Sequence, residues 1–491
     1  MNKKFETDYL LNAANMKRKI IFLSTLYFIY GVSNATGDFF INMSDKISDN
    51  KPRLSYGIAV TDINKDGADE FIVTGFGYPN LALKYESGKL INVVNESIFQ
   101  DSTRSSIGVA ACDIDGDGYE EIYVLNTDSY SGRKKYTDRL LDIDNELFDL
   151  FELARNQFYL NLTAGRSVIC VDGKGNGDFG FYVANYGGPT RFYEMRDNII
   201  VDVAEDLNVN RVTGGRAVVS GHIVSNRVDI FAANERGPNF LYKNDEGSFV
   251  DVALEFNVQD VLQNGRGTSL ADVLYRGRLD IVTSNWEGFH RIFTLNKNSF
   301  ADIATLEFRE PSKIRTTIVA DFDNDGYDEI FLNNIGEPNK LFKILEEGNL
   351  QPIQIVEGLE STGLGTGAAV ADIDNDGVLE LLIAHGESAP EPLSMYKADI
   401  AGKSRFVRIR PLNFNNAPAR GATVILNTNL RQHAKTIDSG SGYLCQMEPV
   451  AHYGLREGEI VDNVIVQWTN GENDTFSLGL MNKTYVFKQN P

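Results

Sequence analysis

Residues 57–81 read GIAVTDINKDGADEFIVTGFGYPNL. The stretch contains two apolar segments that are joined by an acidic nine-residue loop and followed by a Gly-Tyr-Pro-Asn turn. Six further segments share this layout, and the seven loops begin at Asp62, Asp113, Asp172, Gly221, Asp272, Asp321 and Asp372. Successive loop starts are 51, 59, 49, 51, 49 and 51 residues apart. The chain therefore carries an internal repeat of about 50 residues.

Each repeat has room for four short strands, which is typical of a propeller blade. The segment before each loop is apolar at successive positions, as in residues 108–112, and this predicts an inner strand that is buried on both faces. The seventh repeat lacks a fourth strand of its own, but residues 38–42 have the matching pattern. The sequence thus predicts an all-β fold, with a seven-bladed β-propeller over residues 36–400 and a latch strand at residues 38–42 that closes the ring. In the second repeat, residues 136–156 read either as a helix or as two strands that turn at Asp144 and Asn145, and the repeat favours the strands.

The N-terminal segment has the layout of a secretory signal peptide. Basic residues at 17–19 precede an apolar run from Ile20 to Tyr30, and small residues then lead to Ala35. A membrane anchor is the alternative, but a span needs about 20 apolar residues and this run is shorter. We expect residues 1–35 to be cleaved from a secreted protein without a membrane span, with Met16 as an alternative start.

Composition excludes several classes of protein. The chain of 491 residues has 68 Asp and Glu against 47 Lys and Arg, a net charge of -21, which is unfavourable for binding nucleic acid. A hydrophobic fraction of 42% is sufficient for a full core, so global disorder is excluded. Three cysteines are too few for a disulfide scaffold, and we expect Cys112 and Cys170 to be buried and unpaired.

Five Asn-x-Ser/Thr triplets are candidate glycosylation sites in a secreted chain. They begin at Asn42, Asn95, Asn161, Asn473 and Asn482.

Four of the seven loops carry oxygen ligands at positions 1, 3, 5 and 9, with glycine at position 6. The expected ligands, including the carbonyl of position 7, are Asp62, Asn64, Asp66, Ala68 and Glu70; Asp113, Asp115, Asp117, Tyr119 and Glu121; Asp321, Asp323, Asp325, Tyr327 and Glu329; and Asp372, Asp374, Asp376, Val378 and Glu380. Six to eight hard oxygens in a flexible loop suit Ca²⁺, whereas Mg²⁺ prefers fewer protein ligands. An alternative is a set of solvated acidic turns, but these would not repeat one spacing four times. We expect about four calcium ions, with the first site weakest because Asn64 replaces an acid.

The loops do not match an EF-hand, which needs its closing Glu at position 12 and flanking helices. The other three loops have lost the ligand set. Lys174 stands at position 3 of the third loop, and the fourth loop keeps one acid. In the fifth loop Arg276 is expected to bridge Asp272 and Asp280 and to replace the charge of the metal.

The loops and the turns after them resemble the FG-GAP (VCBS) repeat, the blade unit of integrin α-subunit propellers, over residues 38–400. In the tail, Gly440-Ser441-Gly442-Tyr443 and the stretches 448–455 and 464–471 resemble the ASPIC/UnbV domain, here expected over residues 401–491. The combination in this order resembles the cartilage acidic protein family. The resemblance implies a secreted, calcium-binding protein in the extracellular matrix or at the cell surface.

Taken alone, the tail predicts a small β-sandwich-like domain. Val407 and Ile409 alternate with Arg408 and Arg410, and Asn470-Gly471 predicts a hairpin turn. The arginine face has two interpretations, a partner-binding surface or, as we favour, contact with the propeller or solvent.

No set of acid, base and nucleophile is apparent in the sequence. The five histidines are His222, His290, His385, His433 and His452, and no pair has metal-ligand spacing. His385 with Glu387 and Ser388 is the one suggestive cluster, and a structural role is favoured for it. We expect a non-enzymatic, calcium-stabilised protein that binds extracellular proteins or glycans. A lectin-like carbohydrate-binding propeller is the alternative, and an enzyme with its site in the channel ranks third.

Overall fold

The computed structural model describes residues 38–143, 146–400 and 405–490. The predicted signal peptide, the alternative start at Met16 and the turn at Asp144 and Asn145 lie outside the described residues. Among these residues, helical structure is confined to α1 (Ser97–Gln100) and to short 3-10 turns at Ser44–Lys46, Leu150–Glu152, Ala154–Tyr159 and Glu346–Gly348. Within these ranges, no helix is both long and apolar enough to cross a bilayer.

The predicted β-propeller is confirmed. After β1 (Phe40–Asn42), antiparallel sheets follow one another along the chain, and their strands are β2 (Ser55–Thr61), β3 (Glu70–Gly75), β4 (Leu81–Glu86) and β5 (Lys89–Asn92); β6 (Ser106–Cys112), β7 (Glu121–Asn126), β8 (Arg139–Ile143) and β9 (Leu147–Asp149); β10 (Gly165–Val171), β11 (Gly180–Pro189), β12 (Arg191–Arg196) and β13 (Ile199–Asp202); β14 (Val212–Gly221), β15 (Asp229–Asn234), β16 (Phe240–Asp245) and β17 (Ser248–Asp251); β18 (Gly265–Ala271), β19 (Asp280–Asn285), β20 (Arg291–Asn296) and β21 (Ser299–Asp302); β22 (Ile314–Ala320), β23 (Glu329–Asn334), β24 (Lys340–Ile344) and β25 (Leu350–Ile353); and β26 (Gly365–Ala371), β27 (Glu380–His385) and β28 (Ser394–Ala398). The third and fourth sheets are also joined, because β11 pairs with β14.

The first strand of each sheet lies beside the first strand of the next, and β26 lies beside β2, so the described sheets close into a ring. At the closure, the Thr366 hydroxyl donates to the Ser55 carbonyl at 2.7 Å. The inner strands β6, β10, β18 and β26 are buried along their whole length, as the apolar pattern predicts, and the other three are buried along most of it. The second repeat forms the strands β8 and β9, which confirms the strand interpretation over the helix.

The latch strand is confirmed. β1 pairs with β28 and completes the sheet that contains the loop beginning at Asp372. Phe40 is 1% exposed and meets the rings of Phe322 and Phe331 edge-on, at centroid distances of 5.5 and 6.3 Å. The latch therefore contributes core packing as well as strand pairing.

Removal of the latch should destabilise the ring. Phe40→Ala is expected to lower the free energy of unfolding by about 3–5 kcal/mol, because it empties a buried aromatic site. Deletion of residues 38–42 should lower the melting temperature further, because it exposes the edge of β28. Chemical unfolding measures the first effect, with Ile41→Ala as control because that neighbouring side chain is 46% exposed. Equal losses in the two variants would contradict a packing role for the latch.

One prediction about the cysteines is wrong. Cys112 and Cys170 form a disulfide, with Cα atoms 5.3 Å apart. The two residues lie in β6 and β10, which are the inner strands of neighbouring sheets and approach each other closely around the axis of the ring. A separation of 58 residues gives no local sign of this meeting. Cys445 is a free, buried thiol, as the odd count required of one cysteine.

The candidate glycosylation sites differ in accessibility. Asn161 is fully buried and donates hydrogen bonds to Asp138 and Asn185 at 2.7 and 3.1 Å, so the folded protein offers no room for a glycan there. The asparagines of the other four triplets are exposed.

The tail consists of two sheets that face one another, as expected for a sandwich. Their strands are β29 (Phe406–Leu412), β30 (Thr423–Thr428), β31 (Gln432–Thr436), β32 (Ala451–Gly454), β33 (Val461–Gln467), β34 (Asn473–Phe476) and β35 (Thr484–Lys488), with orders β32-β29-β35 and β31-β30-β33-β34. Trp468 is buried in the shared core. The predicted hairpin at Asn470-Gly471 joins β33 to β34.

Candidate functional site

All seven loops join the first strand of a sheet to its second strand, so they lie at one end of the ring, which we call the loop face. In the four acidic loops, the glycine at position 6 has a positive φ of 85–94°, a conformation that glycine adopts without strain. At Gly377 a second constraint applies, because an added Cβ would lie 2.0 Å from the ring of Phe406 in the tail. The tail thus packs directly onto this loop.

Backbone hydrogen bonds fix one oxygen of several ligand carboxylates. In each acidic loop the closing glutamate accepts the N–H of the second loop residue, with N···O distances of 2.8–3.0 Å. The side chain at position 3 accepts the N–H of position 5, and the side chain at position 5 accepts the N–H of position 7. The second oxygen of each of these carboxylates accepts no backbone N–H of its loop.

Three of the four loops bring such oxygens together. Each group places three carboxylate oxygens within 4.8 Å of one another, and the groups are Asp113, Asp115 and Glu121; Asp321, Asp323 and Asp325; and Asp372, Asp374 and Glu380. The first residue of each group also has a buried oxygen that lacks a hydrogen-bond partner among the described residues, namely Oδ2 of Asp113, Oδ1 of Asp321 and Oδ1 of Asp372. A buried, unpartnered carboxylate oxygen is costly, and a set of hard oxygens is what Ca²⁺ prefers. These residues fit a calcium ion.

Crowding of the carboxylates is evident in their pKa values. Burial, and then the charge of Asp115, raises the pKa of Asp113 to about 7. Burial, and then the charge of Asp323, raises the pKa of Asp321 to about 8. Each group therefore concentrates negative charge in a poorly hydrated space, where a divalent cation gains most.

The first loop is arranged differently from the other three. Both carboxylate oxygens of Asp62 accept backbone N–H groups, from Asp66 at 3.1 Å and from Gly67 at 2.7 Å. The Asn64 amide donates to Glu70 at 3.1 Å, which occupies an oxygen that a metal would need. A calcium ion at this loop stays a prediction, as do the expected carbonyl ligands Ala68, Tyr119, Tyr327 and Val378.

A lysine lies opposite the closing acid in three of the four loops. Lys343 pairs with Glu329 across β23 and β24, and its Nζ lies within 3.1 Å of three ligand carboxylates of the sixth loop. Lys84 and Lys397 hold the same position in the first and seventh loops and also pair with the ligand acids. Because an ammonium group neutralises part of the negative charge, these lysines compete with a metal ion.

The second loop has no lysine opposite its closing acid, although Lys65 of the first loop pairs with Asp117 at 3.5 Å. The equivalent position of β8 is Asp142, whose pKa is raised to about 6 by burial and then by the charge of Asp115. This loop thus has a fifth carboxylate where the others have a cation, and we expect it to bind calcium most tightly.

The role of the lysines can be tested at the sixth loop. Lys343→Met is expected to tighten calcium binding there by about tenfold or more, because unit charges ~4 Å apart interact by about 4 kcal/mol at an effective dielectric constant of ~20. Titration calorimetry with calcium measures the change. Lys340→Met is the matched control, since Lys340 lies on the same strand but pairs with the exposed Glu310. Unchanged affinity in Lys343→Met would show that the lysine does not oppose the metal.

The third to fifth loops satisfy their acids with donors of the chain itself. Asp229 accepts the N–H groups of residues 223–225 and the Ser225 hydroxyl. The expected bridge by Arg276 is half wrong. Its guanidinium reaches Asp280 at 3.4 Å, whereas Asp272 accepts the backbone N–H groups of Arg276 and Gly277 and of Ala434 in the tail. The loop turns tightly around Asp272, so backbone N–H groups, and not the Arg276 guanidinium, donate to its carboxylate.

The tail covers the loop face and contacts the first residue of several loops. Arg408 pairs with Asp372, and the Gly454 N–H donates to Asp321 at 2.9 Å. In the third loop, the Thr469 hydroxyl donates to Asp172 at 2.7 Å. Two of these three carboxylates, Asp321 and Asp372, are among those expected to hold metal.

A second set of contacts uses the acid at position 8 of three loops, which the sequence reading left without a role. The pairs are Arg410 with Asp69, Arg420 with Glu120, and His433 and Lys435 with Asp328. An acid recurs at position 8 in three of the ligand loops, and this recurrence is the sequence pattern that could have indicated a shared binding role. Of the two interpretations of the arginine face, contact with the propeller is the one observed.

Residues 439–448 of the tail enter the central channel, and we call this segment the plug. Its backbone exchanges hydrogen bonds with inner strands of five sheets, through Cys170, Thr268, Val109, Ile58 and Val60, and Val370. The side chain of Gln446 adds a bond to each backbone group of Ala111, at 2.8 and 2.9 Å. The plug thus occupies part of the channel, and a cavity remains at the end opposite the loop face.

Both parts of the chain are similar to known proteins. A family model described as FG-GAP-like repeat matches residues 62–124, 272–332 and 321–383, and one described as ASPIC and UnbV matches residues 413–491. The chain is 40% identical to cartilage acidic protein 1 of Xenopus tropicalis over 469 residues, which cover 87% of this chain and 72% of that protein. It is 41% identical to cartilage acidic protein 1 of Homo sapiens over 465 residues, which cover 86% of this chain and 70% of that protein. Among solved structures, an extracellular domain of a protein from B. thetaiotaomicron, described as a hybrid two component system, aligns with a TM-score of 0.47 at 9% identity, over 92% of this chain and 58% of that chain.

Proposed function

Because the chain belongs to the family of cartilage acidic protein 1, we propose that it is a secreted extracellular protein that binds calcium and acts by binding other molecules. Calcium in this proposal is structural. It neutralises the acidic loops on which the tail rests, and it thereby holds the propeller and the tail in one arrangement.

One observation carries the proposal. At the same phase of three repeats, an acidic loop gathers carboxylate oxygens within 4.8 Å and leaves a buried oxygen without a partner. Solvated acidic turns would leave their carboxylates exposed to water. Asp113, Asp321 and Asp372 are instead 2%, 0% and 6% exposed.

Metal analysis of the purified protein tests the proposal. We expect about three calcium ions, at the second, sixth and seventh loops, and a weaker fourth at the first loop. Asp115→Asn, Asp323→Asn and Asp374→Asn should each remove about one ion. Asp229→Asn is the control and should remove none, since both carboxylate oxygens of Asp229 already accept hydrogen bonds, from residues 223–225 and from the Asn244 N–H. A result of no bound calcium, or of one ion for every loop, would overturn the proposal.

We propose further that the protein is not an enzyme. Support comes from the plug, which occupies part of the channel, and from the histidines, each of which is at most 7% exposed and held by its neighbours. Burial lowers the pKa of His222 to about 4 and that of His290 to about 3, so both are neutral at physiological pH. The suggestive cluster at His385 does not form, because His385 contacts Glu360 at 3.0 Å while Glu387 pairs with Arg315.

Carbohydrate binding is the second candidate, and one cavity favours it. A pocket of about 300 Å³ lies between the fourth and fifth sheets, where Asn257 and Gln263 stand beside the exposed Leu262. Polar amides next to an apolar surface suit a sugar ring. A glycan array is the test, and saturable binding that is lost in Gln263→Ala would favour this candidate.

A further inference from the structure

Four consecutive sheets, from the third to the sixth, begin their inner strands with an arginine at the same position. The residues are Arg166, Arg216, Arg266 and Arg315. Each lies at a β-bulge, where the register between the first and second strands shifts. A bulge takes a residue out of the ladder and redirects its side chain. All four arginines line one cavity, at the end of the channel opposite the loop face.

Neighbouring arginines share a partner, so the four guanidiniums form a continuous arc. The first two lie over the ring of Tyr186, at 5.4 and 4.6 Å from its centroid. The second and third both pair with Glu235. The third and fourth lie over the ring of Trp286, at 5.0 and 4.6 Å. The shared partners fix the spacing of the arc.

Positive charge exceeds negative charge in this arc. Across the part of the chain that the structure describes, two carboxylates form ion pairs with the four guanidiniums, namely Glu235 and Glu387. Arg166 donates to neutral oxygens, the Thr127 hydroxyl and the carbonyls of Gly165 and Tyr130. Burial, and then the charge of Arg216, lowers the pKa of Arg266 to about 10. The lining of the whole cavity also includes Arg236 and the acids Asp128 and Glu287, so five arginines stand against four carboxylates, in a chain with a net charge of -21.

Some N–H donors of the arc make none of these contacts. The Nε atoms of Arg266 and Arg315 are buried without a hydrogen-bond partner in the described structure. The four arginines are 4–7% exposed, so water reaches them poorly. Buried guanidinium groups without matching acids are costly, and a bound anion would offset that cost.

Tyr443, at the tip of the plug, faces the arc. The Nη1 of Arg216 donates to its hydroxyl at 3.4 Å, and the guanidinium of Arg266 lies 5.8 Å from its ring centroid. Burial alone would raise the pKa of this phenol, but the charges of the four arginines outweigh burial and lower it to about 8. The electric fields of all four arginines therefore converge at one point of the cavity.

The cavity is large enough for a ligand. Its volume is about 660 Å³, within the range of about 300–1,000 Å³ that small-molecule sites occupy. It reaches the surface at Tyr130, which is 63% exposed, and at Arg236. The planar fork of arginine matches carboxylate and sulfate oxygens with paired hydrogen bonds.

We propose that this cavity binds a small organic anion that carries two or more carboxylate or sulfate groups. The arginines supply the charge and the paired donors, and Tyr443 lies at the floor of the site. The same chemistry occurs in free organic acids and at the ends of acidic glycans. Citrate and a sulfated disaccharide of glucuronate represent the two sources, and glucose is the neutral control.

Titration calorimetry on the full chain tests the proposal. We expect saturable binding of at least one of the two anions and none of glucose. Arg166→Met and Arg266→Met should each weaken this binding about tenfold or more, because each removes charge-assisted hydrogen bonds. Arg191→Met is the control, since Arg191 pairs with Asp202 on an outer strand of the third sheet, and it should bind like the wild type. Preference for citrate would identify a free acid as the ligand, and preference for the disaccharide a glycan end.

A second readout does not depend on the folding of any arginine variant. A bound anion opposes the field of the arginines, so it should raise the pKa of Tyr443 above about 8. The groups that face this phenol are the four arginines, Tyr56 and, through Arg216 and Arg266, Glu235. Tyrosinate absorbance measured against pH, with and without the anion, detects the shift, and Tyr443→Phe identifies its origin. No saturable binding of either anion, or binding unaltered by both arginine changes, would overturn the proposal.

Discussion

Removal of calcium is expected to lower the free energy of unfolding by about 4–6 kcal/mol. At a free calcium concentration about tenfold above the dissociation constant, each site contributes about 1.4 kcal/mol by linkage, and three to four sites are predicted. The emptied loops also leave buried carboxylates such as Asp113 and Asp321 repelling their neighbours, which adds to the loss. The effect should be among the largest that any solution condition produces.

Thermal melting with and without a calcium chelator measures this effect, and magnesium in place of calcium is the control. The loss should extend to the tail, because Gly454 and Arg408 contact the first acids of the sixth and seventh loops. Proteolysis of the tail should therefore accelerate in chelator. A melting temperature that does not depend on calcium would mean that the loops do not hold a structural ion.

Arg420→Met is expected to cost about 3–5 kcal/mol, because breaking a buried ion pair leaves an uncompensated charge. Arg420 is 1% exposed and binds both carboxylate oxygens of Glu120, at 2.7 and 3.0 Å. It also donates to the carbonyls of Val60, Asp438 and Met447, each at 2.8 Å. One side chain thus joins the first and second sheets, the tail and the plug.

Chemical unfolding of the variant gives the cost. The double variant Arg420→Met with Glu120→Met should recover part of it, because the stranded carboxylate is then removed as well. Arg405→Met is the matched control on the exposed side of the tail, and it should change stability by about 0.5 kcal/mol or less. A loss in Arg420→Met no larger than in this control would show that the interface does not depend on the pair.

The sequence by itself determined the repeat, the strands, the four acidic loops and the latch. Each of these is encoded in short segments whose spacing is set by strand length and by the nine-residue loop. Burial on both faces made residues 108–112 and their equivalents recognisable as inner strands, and Gly377 and its equivalents marked the sharp turns. The missing fourth strand of the last repeat was also visible, because a repeat shows what each unit should contain.

Only the tertiary structure decided which residues of different sheets meet. The disulfide between Cys112 and Cys170, the lysines opposite the closing acids, and the arginine arc depend on strand register and on the closure of the ring. The plug depends on contacts between residues far apart in the chain, such as Gln446 with Ala111, which are 335 positions apart. Such contacts arise from packing between complete sheets, and packing leaves no periodic trace in the local sequence. The sequence therefore predicted the tail as a separate domain. In the structure, tail residues bind acids of the propeller loops, and the plug binds the inner strands of the propeller.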